Sequence, residues 1–127
     1  MVAFVSDIDQ LSAPAATSAA PAIDAIDLQH LSRMTLGERS LEREVLALFD
    51  RQADMLLPRV RCGKPAVVAA SAHTLKGSAV GIGAWRVARA AEAVEQAKNA
   101  EFSVAVDVLD TAIAETKAEI ARLLRAH

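Results

Sequence analysis

Hydrophobic positions along this chain recur at helical spacing in four long stretches. Apolar residues at i, i+3, i+4 and i+7 share one face of a helix. The first stretch carries Leu41, Val45, Leu48, Phe49, Gln52, Leu56 and Val60, with Ser40 as its expected cap. The second runs from about Pro65 to Ile82 and turns Val68, Ala72, Leu75, Ala79 and Ile82 inward. The third, about Ala84 to Lys98, aligns Val87, Ala88, Ala91 and Val94. The fourth, about Ser103 to Arg125, aligns Val106, Leu109, Ile113, Thr116, Ile120 and Leu123. A shorter stripe of Leu28, Leu31 and Met34 follows Asp27, a good N-cap, and ends at Leu36-Gly37.

The breaks between stretches are short. Pro58 is expected to bend the first long helix or stop it. Gly63 suits the position after a helix end and Pro65 the first turn of the next. Gly81 and Gly83 end the following helix, and Asn99-Ala100 makes the last turn. Connections this short make successive helices antiparallel neighbours. The spacing therefore predicts an all-α fold: an antiparallel four-helix bundle over residues 27–127, with a short additional N-terminal helix as a cap.

Residues 1–26 are different. Residues 12–22, SAPAATSAAPA, are low in complexity and have no hydrophobic stripe. The whole segment reads as a disordered or extended acidic Ala/Pro-rich tail. Phe4, Val5, Ile8 and Leu11 within it are compatible with a short docking helix or a frayed leader.

Composition agrees with an all-helical chain. Among 127 residues, 28 are alanine, the strongest helix former, whereas there are three Phe, one Trp and no Tyr. The formal net charge of −2 gives no basic footprint for nucleic-acid binding. Residues 1–27 contain four acids and no Lys or Arg, so the tail is acidic and the body mildly basic. Cys62 is the only cysteine, which excludes an intramolecular disulfide. No stretch approaches the ~20 apolar residues of a membrane span, and residues 1–10 lack the features of a signal peptide. A cytoplasmic chain is the expectation.

One position does not look like scaffold. On the outward face of the second long helix stand Ala66, Ala69, Ala70, His73, Lys76, Gly77 and Val80. Helical neighbours lie three and four residues apart, so His73 is flanked by Ala69, Ala70, Lys76 and Gly77. Three of these have little or no side chain, which leaves the imidazole accessible to another molecule. Glycine within a helix costs about 1 kcal/mol relative to alanine. Gly77 is explained either by a tight helix–helix crossing or by the close approach of a partner. Lys76, one turn away, would stabilise an anion attached to the imidazole.

Segment 72–84, AHTLKGSAVGIGA, resembles the signature of histidine-containing phosphotransfer (HPt) domains. That pattern is a His followed at +3 by Lys, at +4 by Gly and at +5 by a small residue, then a glycine break before the next helix. The resemblance covers roughly residues 27–125. It implies a four-helix bundle whose histidine takes a phosphoryl group from one receiver-domain aspartate and passes it to another. His73 matches the phosphoacceptor, with attack from Nε2, and Lys76 the residue that steadies the phosphoryl oxygens. Gly77 matches the clearance position and Ser78 a small position that can offer a hydroxyl. The docking strip is expected to include Ala69, Ala70, Gly77, Ser78 and Val80 together with parts of the preceding helix. Arg59, Arg61 and Lys64 are candidates for steering an acidic receiver.

The resemblance further implies receiver domains of response regulators and of a hybrid sensor histidine kinase as partners, and a monomeric carrier. Mg²⁺ is expected from the receiver, and the chain has neither a phosphate-binding glycine loop nor ATP-dependent kinase activity of its own. Thr74 follows His73, where kinase dimerisation helices typically have an acid. Other readings are the phosphoacceptor module of a chemotaxis-type kinase, a non-catalytic helical adaptor binding a signalling partner through the strip around His73, and an oligomerisation bundle. His30, His127 and Cys62 have no partners at metal-ligand spacing, so no metal site is expected. Trp85 reads as a packing anchor, and Arg86 and Arg89 as solvated charges or as residues beside the phosphoryl group.

Overall fold

The computed structural model describes residues 24–126. Among them are five α-helices and no strand: α1 (Leu28–Met34), α2 (Arg39–Arg61), α3 (Pro65–Ile82), α4 (Trp85–Gln96) and α5 (Ala100–Ala126). α2 packs against α3, α3 against α4 and α4 against α5, and α5 closes the ring onto α2, while α1 packs against α3. Polar pairs between α2 and α5 run in opposite chain directions. Arg43 Nη1 donates to the Leu124 carbonyl at 2.9 Å, Lys117 Nζ binds Asp50 at 2.6 Å and Asp54 at 2.8 Å, and Arg61 pairs with Asp110. The result is the antiparallel four-helix bundle that the hydrophobic spacing predicts.

The stripes expected for α3, α4 and α5 are buried throughout, with Ser71, Ala90 and Ala112 added to them. α2 departs from expectation. Its buried residues are Leu46, Phe49, Ala53, Leu56 and Val60, whereas Leu48 is 45 % exposed and Leu41, Val45 and Gln52 are only partly buried. α2 carries more apolar residues than one face holds, and the α5 contacts of Arg43, Asp50, Asp54 and Arg61 rotate Leu48 out of the core. Of the α1 stripe only Leu31 is buried, and Leu28 and Met34 face solvent.

The helix ends also refine the expected boundaries. Glu38 rather than Ser40 is the N-cap of α2. Pro58 does not stop α2, which continues three residues to Arg61 with the proline ring on its exposed side. Gly81 lies inside α3, and Gly83 alone caps it in the left-handed conformation (φ +77°). Asn99, also left-handed, lets α5 begin at once at Ala100 instead of Ser103. Gly63 and Pro65 occupy the positions their chemistry predicts.

The segment before α1 belongs to the bundle. Ile26, assigned from the sequence to the tail, is 1 % exposed in the core. Asp27 N–H donates to the Gly83 carbonyl at 2.9 Å. The Asp27 carboxylate caps α1 by accepting from His30 N–H at 3.1 Å and also accepts from Trp85 Nε1 at 3.0 Å. These two hydrogen bonds, Trp85 first, hold its carboxyl below the usual aspartate range. Trp85 is thus the packing anchor expected of it, with the His30 ring tilted against it at 4.8 Å between centroids. The segment around Phe4 to Leu11, read as a short docking helix or a frayed leader, lies outside the described residues, as does His127. No helix among the described residues is long and apolar enough to cross a membrane.

Candidate functional site

α3 buries one face against the core and presents the other to solvent. Val68, Ser71, Ala72, Leu75, Ala79 and Ile82 point inward, so helical geometry turns His73 outward. Its side chain is 77 % exposed. Ala69, Ala70, Gly77 and Val80 are exposed around it, and Lys76 and Ser78 are half-buried. Ala69, Ala70, His73, Lys76, Gly77 and Val80 therefore share the outward surface of α3, whereas Ser78, five residues after His73, stands to the side of it.

Gly77 stands in open space. A Cβ built on it would meet no atom within 4 Å beyond its own helix. That overturns a tight helix–helix crossing as its explanation, because no neighbouring helix approaches. Nothing within the described residues requires a glycine at this position. Gly83 is the contrast: a Cβ there would come within 2.9 Å of the Asp27 carbonyl oxygen.

Two acids of α4 stand beside His73 and Lys76, and neither stands out in the sequence. His73 Nδ1 lies 3.5 Å from Glu95 Oε2, and Lys76 Nζ lies 3.7 Å from Glu92 Oε2. His73 and Lys76 are three residues apart on α3, and Glu92 and Glu95 are three apart on antiparallel α4, so the pairs stand side by side. The matching i, i+3 spacing is the signal that could have found them. On a single helix it is indistinguishable from a solvated charged face.

The geometry separates the two imidazole nitrogens. A carboxylate facing Nδ1 favours the tautomer with its proton there, which leaves the Nε2 lone pair directed to solvent. His30, the other described histidine, is engaged instead: its Nε2 lies 2.8 Å from the Val80 carbonyl oxygen. Among the described residues no cluster of three or more His, Cys, Asp or Glu side chains is placed to hold a metal ion. Cys62 is exposed and free.

Several residues weighed from the sequence lie elsewhere. Arg61 is taken up by Asp110 on the α2–α5 side. Arg86 pairs with Glu115 of α5 at 2.5 Å and, with Arg89, lines a hollow between α4 and α5. Arg86 therefore faces away from the α3–α4 pairing that contains His73.

The comparisons with known proteins decide the family. The Hpt domain family model matches residues 43–126. The chain belongs to the Hpt domain family. The Hpt bundle is also similar to a solved structure, the histidine phosphotransferase ShpA from Caulobacter crescentus. The match has a TM-score of 0.67 and 27 % sequence identity, and covers 80 % of this chain and 92 % of that one. No curated protein sequence matches the chain. As an Hpt protein it is a phosphorelay intermediate of two-component signalling that works with receiver domains.

Proposed function

We propose that His73 is the residue on which this Hpt domain carries its phosphoryl group. The observation that carries the reading is the exposed imidazole with Nδ1 turned to Glu95 and Nε2 free, within a strip of small residues. The Nε2 lone pair attacks the phosphorus of a receiver's aspartyl phosphate. The N–P bond forms as the bond from phosphorus to the carboxyl oxygen breaks, and the aspartate leaves with that electron pair. The proton stays on Nδ1, facing Glu95. Transfer to a second receiver reverses the step with a new carboxylate as nucleophile.

The remaining roles follow from position. Lys76, one turn along α3, neutralises charge on the phosphoryl oxygens, which is most of what phosphoryl transfer asks of a protein. Gly77 leaves room for the receiver, and Ala69, Ala70, Ser78 and Val80 form the surface against which it docks. Small and apolar side chains suit such a contact. The donor in this reading is the receiver domain of a hybrid sensor histidine kinase and the acceptor that of a response regulator. Mg²⁺ comes with the receiver, and the carrier acts as a monomer in the cytoplasm.

The test is phosphotransfer from a panel of phosphorylated receiver domains to the wild-type chain and to His73→Gln. Label on the wild type alone, stable in alkali and lost in acid, supports the reading. Equal label on both proteins would remove His73 from the role. No label on either, with the bundle folded and receivers still bound, would favour an adaptor.

A further inference from the structure

We propose that Glu92 acts as a positioning residue that competes with the phosphoryl group for Lys76, and so limits how strongly the carrier retains its phosphate. The inference rests on His73 as the phosphoacceptor and adds a regulator of the same site.

The observation is the Lys76–Glu92 pair across the α3–α4 interface, 3.7 Å apart, beside the His73–Glu95 pair at 3.5 Å. Lys76 is the only cation in this pairing, and before phosphate arrives it faces a carboxylate. A phosphoryl group on His73 would bring up to two further negative charges, close to the pK of the phosphate group near neutrality. Lys76 then exchanges one anionic partner for another. Both side chains are partly exposed, 36 % for Lys76 and 48 % for Glu92, so neither is locked and the exchange needs only side-chain rotation. Exposed ion pairs are weak, which suits a residue that must release its partner at every turnover.

The consequence concerns balance. A carrier that holds its phosphoryl group too tightly drains the donor without supplying the acceptor. With Glu92 bidding for Lys76, the phosphohistidine is less stabilised and transfer onward is favoured. Removing the charge of Glu92 commits Lys76 to the phosphoryl oxygens.

The experiment measures the equilibrium between a phosphorylated receiver and the carrier, with the half-life of the isolated phosphohistidine. Wild type, Glu92→Gln, Lys76→Ala and the double variant are compared. Glu92→Gln is expected to shift the equilibrium toward phosphohistidine by about two- to five-fold, the range of an exposed ion pair, and to lengthen the half-life. The shift should shrink at high salt, where the pair is screened, and vanish in the Lys76→Ala background. Glu92→Gln behaving as wild type would overturn the proposal. So would an equal shift with and without Lys76, which would mean plain repulsion between Glu92 and the phosphate. Failure of the wild type to take label would instead count against His73 as acceptor, and circular dichroism melts confirm that each variant is folded.

Discussion

His73 and Glu95 face each other across the α3–α4 interface with Nδ1 and Oε2 3.5 Å apart. The pair gives the imidazole a direction. A ring exposed on all sides would present its two nitrogens alike, whereas a carboxylate on one side favours the proton on the nitrogen it faces. It also means that α4, which contributes none of the residues matching the HPt signature's chemistry, takes part in the site.

Replacing Glu95 should therefore slow transfer without unfolding the bundle. Glu95→Gln keeps the size and an acceptor oxygen but loses the charge that favours the proton on Nδ1. The expected decrease in transfer rate is about two- to five-fold, in the range of an exposed ion pair, with an unchanged thermal melt. Rapid-quench measurement from a phosphorylated receiver checks it, and an unaltered rate would assign Glu95 to the surface alone.

Gly77 and Gly83 should respond oppositely to alanine. At Gly77 a Cβ enters open space, so Gly77→Ala gains helix propensity of about 1 kcal/mol and raises the melting temperature by several degrees. The same methyl group stands where a receiver would approach, so transfer slows while stability rises. At Gly83 the left-handed φ costs a side chain about 1–2 kcal/mol, and the Asp27 carbonyl oxygen at 2.9 Å adds a clash. Gly83→Ala should lower the melting temperature. Paired thermal melts, with transfer rates for Gly77→Ala, check both.

Asp27 predicts an acid-sensitive anchorage of α1. Its folded-state pKa is lowered, by the Trp85 hydrogen bond first and the His30 N–H second. A lowered carboxylate contributes stability that is complete above its unfolded value, about 3.9, and is lost as pH falls through the lower folded value. Trp85 is the only tryptophan in the chain, so its fluorescence reports the event. Emission should change as pH falls below about 4, and Asp27→Asn should lack that component. Identical profiles for the two proteins would contradict the assignment.

The residues that were legible in the sequence are those whose role is local. The stripe of α3 is unambiguous because Val68, Ala72, Leu75, Ala79 and Ile82 alternate with small or polar residues, and that contrast turns His73 outward. The phase of α2 is ambiguous in the sequence because Leu41, Val45, Leu46, Leu48, Leu56 and Leu57 offer several overlapping faces, and only packing against α3 and α5 selects one. Ile26 falls in the predicted tail because it stands between a Pro/Ala-rich run and the helix cap at Asp27, outside any helical stripe. Its burial depends on the Asp27–Gly83 hydrogen bond, a contact between distant parts of the chain. Glu92 and Glu95 were invisible for the same reason. Their meaning lies in the register of α4 against α3, which no single-helix pattern contains.

The proposed chemistry stands or falls with phosphate on Nε2 of His73. The direct measurement is to phosphorylate the wild-type chain through a receiver, map the modified residue by mass spectrometry under alkaline conditions, and identify the bonded nitrogen by ³¹P–¹⁵N NMR. One phosphoryl group is expected, on His73 and bonded to Nε2. Phosphate on His30, on an acidic side chain or on Nδ1 of His73 would contradict it.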